Sequence, residues 1–558
     1  MSKQIIKVSN VSKSFGTKII LKDISFTISD NDRIGLIGEN GSGKTTLCKI
    51  LLGKEFSDIG KVELFSNMEI GYLPQEIEEF SKDDTVEMYF ERFLGSIGAI
   101  KNEMEKLEKQ LEVNSSDEIL QRYGELQEIW ERKEGWNLDY RIEKVMQGIG
   151  IEYIKQDRLL SSLSGGEKTR VAIAALLISP PDLLILDEPT NHLDFATLKW
   201  LEEYLTGFKK GLLIISHDRE FLNKTINKIF EISSYTNEIS VFHGNYDQYL
   251  LESEKDFERR KKEYENYIQE VKDLKIAIKK KSYSTKNPKG PTDSNKMAWD
   301  LWGERADKSK SSQIKDLKLR LEKLEEKPPQ KPTRSALKGF RFYDELLASD
   351  IPVKIKNLSK GYGSNILLSE INKEILKNDR IIIVGKNGSG KTTFLNLILG
   401  IEQPTIGEVN IISSVKIGYL DQQQKSLNPE NTVLEEYASC KTADESELRE
   451  DLHKFGLFTS KEVFLKVKEL SLGQKQKLLL AKIIAEKPNV LILDEPTNHL
   501  DLLAIEELEK ALGNFTGVII AVSHDRRFIK KISTDVWHLK NKKLLSENLK
   551  EVLDNEAI

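Results

Sequence analysis

The 558-residue chain has 84 Lys and Arg against 89 Asp and Glu, a net charge of −5, so any nucleic-acid contact must come from a local basic patch. Its two cysteines, Cys48 and Cys440, are too few for a structural zinc or iron–sulfur site and suggest no disulfide framework. There is no apolar run of about 18 residues and no apolar signal segment, so we expect a cytoplasmic protein.

The first recognisable element is a glycine-rich loop, GENGSGKTT, between an apolar strand at 34–37 and a helix that begins at Lys44. In such a loop the backbone N–H groups and the helix N-terminus face a phosphate, and the lysine reaches the β/γ-phosphates. The hydroxyl of Thr45 is expected on Mg²⁺. The predicted phosphate contacts are Gly38, Glu39, Asn40, Gly41, Ser42, Gly43, Lys44, Thr45 and Thr46.

A segment at about 86–148 follows, with two apolar stripes at helical spacing. The stripes are Met104, Leu107 and Leu111, then Tyr123, Leu126 and Trp130. A helical pair that packs on its own domain and an arm that contacts a partner would show the same pattern.

Three short motifs come next: LSGGE at 163–167, LLILDEPTNHLD at 183–194 and ISHD at 215–218. Asp187 ends an apolar run, which places it at the carboxyl end of a buried strand, where ligands bind in open α/β sheets. It can hold the Mg²⁺ shell, and Glu188 can polarise an attacking water. Two carboxylates beside an apolar run would destabilise the folded protein unless a cation bound to them. This argues that the strand end binds a cation and is not merely a solvated strand end.

Heptad-spaced apolar residues then predict two helices packed as an antiparallel hairpin, the second ending at Pro328-Pro329. The seams are Phe257, Tyr264, Tyr267, Val271, Leu274 and Ile278, then Ile314, Leu317, Leu321 and Leu324. Between them, at about 280–310, Pro and Gly predict an irregular tip. The predicted domains are therefore 1–245, the hairpin at 246–349, and 350–558.

The tip is locally basic: from Lys275 to Lys310 there are ten Lys and Arg and four Asp and Glu. Basic charge gives salt-dependent phosphate affinity, and aromatic side chains can stack on bases of structured RNA. The alternative to RNA binding is that the tip is only the solvated end of the coiled coil, closed by a small hydrophobic cluster. The residues predicted to contact RNA or a drug site are Lys286, Lys289, Lys296, Met297, Trp299 and Trp302.

After the hairpin the motifs of the first copy recur in the same order. They are GKNGSGKTT at 385–393, LSLGQ at 470–474, VLILDEPTNHLD at 490–501 and VSHD at 522–525. Lys44 to Gln75 and Lys391 to Gln422 both span 31 residues, whereas Gln75 to Ser164 spans 89 and Gln422 to Ser471 spans 49. The first copy therefore holds an insertion of about 40 residues. The second set of predicted contacts is Gly385, Lys386, Asn387, Gly388, Ser389, Gly390, Lys391, Thr392 and Thr393, with Asp494 on Mg²⁺ and Glu495 on water.

On these motifs the chain resembles the ATP-binding-cassette family over about 450 of its 558 positions. The resemblance implies an α/β fold with two P-loop nucleotide-binding domains joined by the antiparallel α-helical hairpin. It implies an ATP hydrolase with ATP and Mg²⁺ bound, and a monomer whose cassettes pair head to tail. Lys44 would then face Ser471, and Lys391 would face Ser164.

The same resemblance implies further roles. Phe15 and Tyr362 would stack on adenine, Gln75 and Gln422 would contact metal and water, and His217 and His524 would touch the γ-phosphate. The signature contacts would be Ser164, Gly165 and Gly166 in one cassette and Ser471, Leu472 and Gly473 in the other. Because Leu472 stands where the first copy has Gly165, we expect unequal sites.

The DEPTNHLD motif, the hairpin and the insertion resemble the ABC-F subfamily. That resemblance implies binding to the 70S ribosome, with 23S rRNA and peptidyl-site tRNA as contacts, from the tRNA exit site. The favoured function is protection against drugs of the peptidyl-transferase centre: lincosamides, pleuromutilins, streptogramin A, and also phenicols or macrolides. A housekeeping translation factor and, more remotely, a transporter ATPase subunit are the alternatives. A chromosome or repair ATPase would need longer coiled coils or zinc cysteines.

Overall fold

The computed structural model describes residues 3–65, 68–75, 83–113, 116–132, 135–191, 193–283, 296–326, 328–329, 341–342, 347–363, 365–386, 388–421, 424, 426–454, 458–459 and 461–548. Contacts divide the chain into two units, Met1–Tyr246 with Ala336–Ile558, and Asp247–Ser335. None of the helices in the described part combines the length and apolarity that a membrane span requires.

The strands of the first cassette are β1 (Gln4–Phe15), β2 (Lys18–Ser29), β3 (Arg33–Gly38), β4 (Ile59–Leu64), β5 (Ile70–Leu73), β6 (Leu183–Asp187), β7 (Gly211–Ile215), β8 (Lys228–Ile232) and β9 (Ile239–His243). They form an antiparallel sheet in the order β2-β1-β4 and a six-stranded sheet in the order β5-β6-β7-β3-β8-β9. In the larger sheet only β9 runs antiparallel.

The strand order explains the position of the site. The strands β6, β7 and β3 lie side by side and parallel, so their carboxyl ends meet at one edge of the sheet. All five residues of β6 and of β7 are buried, because helices cover both faces of a parallel sheet. The phosphate loop, Asp187 and the segment after Ile215 therefore converge.

The helices of the first cassette are α1 (Lys44–Leu51), α2 (Val86–Val113), α3 (Asp117–Arg132), α4 (Leu138–Gly148), α5 (Gly165–Ile178), α6 (Phe195–Gly207) and α7 (Arg219–Thr225). The segment at about 86–148, which contains the predicted insertion, forms α2, α3 and α4. Helix α2 bends at Gly95, where φ is 51°, and packs against both α3 and α5. Met104, Leu126 and Trp130 are buried, so the predicted stripes do pack within the cassette.

The second unit contains α8 (Tyr246–Tyr283) and α9 (Lys296–Glu326). Lys281 Nζ donates to Gln313 Oε1 at 2.8 Å and Arg320 bonds Glu270, so the helices run antiparallel. Leu274 is buried, and the other predicted seam residues are partly buried, in agreement with the heptad pattern. The domain boundaries themselves remain predictions.

The predicted irregular tip is corrected by the structure. Residues 280–283 belong to α8 and 296–310 belong to α9, so both ends of the predicted irregular stretch are helical. The residues from 296 onwards include good helix formers such as Ala298, Leu301 and Glu304, which the Pro and Gly residues before them obscured. Lys286 and Lys289, and the side chains of Lys296, Met297, Trp299 and Trp302, lie outside the described residues.

The second cassette repeats the first. Its strands are β10 (Val353–Tyr362), β11 (Asn365–Ile375), β12 (Arg380–Val384), β13 (Ile406–Ile411), β14 (Ile417–Leu420), β15 (Val490–Asp494), β16 (Val518–Val522), β17 (Asp535–Lys540) and β18 (Lys543–Glu547). The sheet orders are β11-β10-β13 and β14-β15-β16-β12-β17-β18. Its helices are α10 (Lys391–Ile398), α11 (Val433–Ala438), α12 (Glu445–Lys454), α13 (Leu472–Glu486), α14 (Leu502–Asn514) and α15 (Arg526–Ile532).

One side chain of the first cassette lies in the core of the second. Phe195, at the start of α6, is buried in the same apolar cluster as Leu420 and Leu500. Its ring centroid lies 5.3 Å from that of His524. The two cassettes therefore pack against each other next to a predicted site residue.

Candidate functional site

Each phosphate loop wraps around its own lysine. Lys44 Nζ donates to the carbonyl oxygens of Gly38 at 2.7 Å and Glu39 at 3.0 Å, and Lys391 makes the equivalent bonds at 2.7 and 3.2 Å. Gly43 ends the first loop with φ at 99°, and a Cβ there would lie 2.7 Å from the Ile20 side chain. Glycine is required at this position for both its conformation and its size. Asn387 of the second loop lies outside the described residues.

The loop threonines contact the predicted metal-binding aspartates. Thr45 Oγ1 donates to Asp187 Oδ2 at 3.1 Å, and Thr392 Oγ1 donates to Asp494 Oδ2 at 2.9 Å. Burial raises the pKa of Asp187 to about 6, against the opposing effects of the Thr45 hydroxyl and the Lys44 charge. Burial raises the pKa of Asp494 as well. A hydroxyl beside a buried carboxylate is the oxygen donor set that Mg²⁺ takes beside a nucleotide phosphate.

Glu188 and His217 form a buried pair. Glu188 Oε2 accepts from the backbone N–H of His217 at 3.4 Å, and its Oε1 lies 3.3 Å from His217 Nε2. Burial, and then the neighbouring Asp187, raises the pKa of Glu188 to about 8. Burial lowers the pKa of His217 to about 3, so the imidazole is neutral and the pair is not an ion pair.

The second cassette contains the same pair. Glu495 Oε2 accepts from His524 N at 3.3 Å, and Glu495 Oε1 lies 3.5 Å from His524 Nε2. Burial raises the pKa of Glu495 to about 8 and lowers that of His524 well below its usual value. Two carboxyl groups with raised pKa values, each beside a neutral imidazole, are typical of groups that handle protons.

Several buried polar atoms around the loops have no hydrogen-bond partner among the residues that the structure describes. They are Ser42 Oγ, Ser389 Oγ, Asp494 Oδ1, His217 Nδ1, His524 Nδ1 and His524 Nε2. Leaving such atoms unpaired costs about 1–3 kcal/mol each, so a site that binds no polar ligand would not retain them. Hydroxyl donors, a carboxylate oxygen and imidazole nitrogens fit a nucleotide phosphate with its Mg²⁺.

The two predicted adenine-stacking aromatics are exposed, Phe15 by 51% and Tyr362 by 53%. A lysine lies over each ring, with Lys13 Nζ 5.2 Å from the Phe15 centroid and Lys360 Nζ 5.1 Å from that of Tyr362. Lys13 donates to Phe56 O and Lys360 to Gln403 O, each 43 residues further along the chain. Sequence reasoning missed these lysines, although their equal offsets in the two copies were a usable signal.

The predicted signature serines cap helices. Ser164 Oγ accepts from Glu167 N at 3.3 Å at the start of α5, and Ser471 Oγ accepts from Gln474 N at 3.3 Å at the start of α13. Leu472 is 43% exposed, and its carbonyl accepts from Gln424 Nε2 at 3.1 Å. This bond was not foreseen, since Gln424 is one of three successive glutamines with no distinguishing feature.

The first phosphate loop faces the second cassette. Asn40 Nδ2 donates to His499 O at 2.8 Å, and a Cβ on Gly473 would lie 2.5 Å from the same nitrogen. The signature loop after Ser471 therefore lies against the loop that holds Lys44, as head-to-tail pairing requires. The equivalents of Asn40 and His499 in the other site, Asn387 and His192, lie outside the described residues, as does Gln422; Gln75 is described and exposed.

Comparisons with known proteins agree with this geometry. The family described as ABC transporter matches residues 21–191 and 368–498. "ABC transporter F family member 5" of Arabidopsis thaliana is 34% identical over 94% of this chain and 74% of its own length. "Tylosin resistance ATP-binding protein TlrC" of Streptomyces fradiae is 31% identical over 94% of this chain and 95% of its own.

A third relative, "Energy-dependent translational throttle protein EttA" of Mycobacterium tuberculosis, is 30% identical over 96% of this chain and 91% of its own. Among solved structures, the complex of archaeal ribosomal stalk protein aP1 with archaeal ribosome recycling factor aABCE1 superposes with a TM-score of 0.55. Its identity is 18%, over 95% of this chain and 87% of that one, so this similarity concerns the fold alone.

Proposed function

Because this chain belongs to the ABC-F family of ATP-binding-cassette proteins and is an ATP hydrolase, we propose that it uses its two nucleotide sites to act on the ribosome. We propose the cytoplasm as its location and the 70S particle as its partner. The protein would work as a monomer, since both halves of each ATP site come from one chain.

The proposed first ATP site combines residues of both cassettes. Phe15 stacks on adenine, Lys44 binds the β/γ-phosphates, and the signature loop at Ser471 closes over the γ-phosphate. The hydrogen bond from Asn40 to the carbonyl of His499 in the second cassette supports this assignment. The second site uses Tyr362, Lys391 and the loop at Ser164 in the same roles.

Hydrolysis is assigned to the buried acid and histidine pairs. Glu188 would orient and deprotonate the attacking water, and neutral His217 would contact the γ-phosphate through its unpaired nitrogen. Glu495 and His524 would do the same in the second site. Mg²⁺, held by Thr45 and Asp187 in one site and Thr392 and Asp494 in the other, with Gln75 and Gln422 beside it, would neutralise charge on the phosphates.

On the ribosome we propose antibiotic protection, with the hairpin entering from the tRNA exit site, contacting 23S rRNA and peptidyl-site tRNA, and dislodging a drug near the peptidyl-transferase centre. The observation that carries this proposal is the similarity to TlrC, whose name states tylosin resistance and which matches over nearly its whole length. The basic segment from Lys275 to Lys310 supplies the charge that RNA binding needs.

A housekeeping translation factor is the second candidate, favoured by the similarity to the translational throttle protein. The decisive experiment is a susceptibility panel with and without expression of the chain in a drug-sensitive bacterium. The panel should include tylosin, lincosamides, pleuromutilins, streptogramin A and phenicols, with Glu188→Gln/Glu495→Gln as the inactive control. A raised inhibitory concentration for at least one class supports protection. No change for any of them makes the translation factor the better proposal.

A further inference from the structure

Two buried arginines cross between the cassettes. Arg219 of α7 donates through Nη1 to Glu509 Oε2 of α14 at 3.1 Å, and its Nη2 bonds the other carboxylate oxygen. Arg526 of α15 pairs in the same way with Glu202 of α6, with Nη1 3.2 Å from Oε2. No member of these crossing pairs is more than 8% exposed. The two pairs are therefore symmetric, bidentate and shielded from water.

The arginine of each crossing pair lies two residues after the histidine of an ATP site. Between His217 and Arg219 stands Asp218, whose carboxylate accepts from the N–H groups of Glu220 and Phe221, both at 2.9 Å. Asp525 caps α15 in the same way after His524. A capped helix start holds its first residues in a fixed geometry, so the position of each arginine also fixes the position of its histidine.

The glutamates belong to helices that begin at the opposite site. Helix α14 starts after Asp501, and the carbonyl of His499 just before it accepts from Asn40 in the first phosphate loop. Helix α6 starts at Phe195, whose ring contacts His524. The Arg219–Glu509 pair is therefore associated with the Lys44 site, and the Arg526–Glu202 pair with the Lys391 site.

We propose that Arg219 and Arg526 are positioning residues. Arg219 holds His217 against α14 at the Lys44 site, and Arg526 holds His524 against α6 at the Lys391 site. ATP turnover at each site therefore depends on the crossing pair of that site. The inference rests on the ATP-site residues proposed above.

The alternative is that the pairs only hold the cassettes together. A buried ion pair contributes little net stability, but removing one partner is costly because the other charge stays buried. Each glutamate keeps a lysine of its own cassette, Lys531 Nζ at 3.1 Å from Glu509 Oε2 and Lys224 Nζ at 2.9 Å from Glu202 Oε2. Loss of cohesion would affect both sites equally, whereas loss of positioning would affect one.

The test uses two backgrounds, Glu495→Gln, in which only the Lys44 site hydrolyses ATP, and Glu188→Gln, in which only the Lys391 site does. Glu509→Gln should lower kcat about tenfold in the first background with KM for ATP changed by less than about twofold, and should have far less effect in the second. Glu202→Gln should show the reverse.

Lys531→Met is the matched control, because it removes the partner of Glu509 from the same cassette and leaves the crossing pair; it should preserve kcat in both backgrounds. Equal losses at the two sites, or no loss at either, would overturn the inference. Parental turnover in Glu188→Gln/Glu495→Gln without the crossing substitutions would instead show that the assignment of the ATP sites is wrong.

Discussion

The backbone at the two proposed bases is strained. Glu188 has φ at 53° and Glu495 at 50°, in the left-handed region that costs most residues about 1 kcal/mol or more. Hydrogen bonds hold both positions, with Glu188 N donating to Ile215 O at 2.8 Å and Glu495 N to Val522 O at 2.9 Å. Because the same strained conformation occurs at both equivalent positions, we infer that the carboxylates of Glu188 and Glu495 must each point in a fixed direction.

If these carboxylates activate water, their removal should stop hydrolysis and spare binding. We expect Glu188→Gln/Glu495→Gln to bind ATP while its kcat falls by roughly 10²–10⁴-fold, since the phosphate loops are unchanged. Phosphate release and nucleotide binding measure the two effects. Glu203→Gln, an exposed glutamate of α6, is the control and should keep the parental rate. A double variant with parental kcat would contradict the assignment.

The raised pKa values predict how stability depends on pH. The folded carboxyls titrate at about 8, whereas in the unfolded chain they titrate near the usual value of 4.5. The unfolded state therefore loses these protons first, and the nucleotide-free protein loses stability as pH rises from about 4.5 to about 8. Glutamine cannot ionise, so Glu188→Gln/Glu495→Gln should melt at the parental temperature near pH 5 and several degrees higher at pH 8. If the difference between the melting temperatures of the parental protein and the double variant is the same at pH 5 and pH 8, the prediction is wrong.

At the scale of elements, the sequence predicted the loops, strands and helices that depend on residues close together in the chain. The loops at 38–46 and 385–393, the strands that end at Asp187 and Asp494, and the heptad seams all follow from apolar runs or periodicity within a short window. The helical start of α9 at Lys296 was missed because the preceding Pro and Gly suggested a longer irregular tip.

The tip variants address the proposed contact with the drug site. Replacing residues 284–295 by a short Gly-Ser turn should leave α8 and α9 in place and the ATPase rate unchanged, because the seam and the catalytic residues are untouched. Antibiotic protection should be lost. Trp299→Ala or Trp302→Ala should reduce protection more than Lys286→Ala if shape matters more than charge. Full resistance in the turn variant, measured by inhibitory concentration, would exclude residues 284–295 as the working part.

At the scale of the whole molecule, contacts between residues distant in sequence were beyond prediction. Nothing in a linear pattern identifies Glu509 as the partner of Arg219, 290 residues away, because the pairing arises only when the cassettes pack. The resemblance to cassette proteins supplied the head-to-tail arrangement, and the contact of Asn40 with the second cassette agrees with it at one site.

Ribosome binding is a property of the entire chain. We expect the protein to sediment with 70S particles in the presence of ATP, and more stably as Glu188→Gln/Glu495→Gln, because ATP would hold the cassettes closed. Raising monovalent salt from about 50 to about 200 mM should weaken the binding roughly tenfold or more, since basic residues displace counterions from RNA. Recovery with membranes in complex with a permease would favour the transporter subunit.

The place of Phe195 bears on how the chain is synthesised. This residue leaves the ribosome well before the second cassette exists, yet it is buried in that cassette's core. During synthesis the Phe195 ring therefore lacks its cover until the residues of the second cassette have emerged. Cutting the gene between the cassettes would therefore yield one fragment with an uncovered ring and another with a gap in its core.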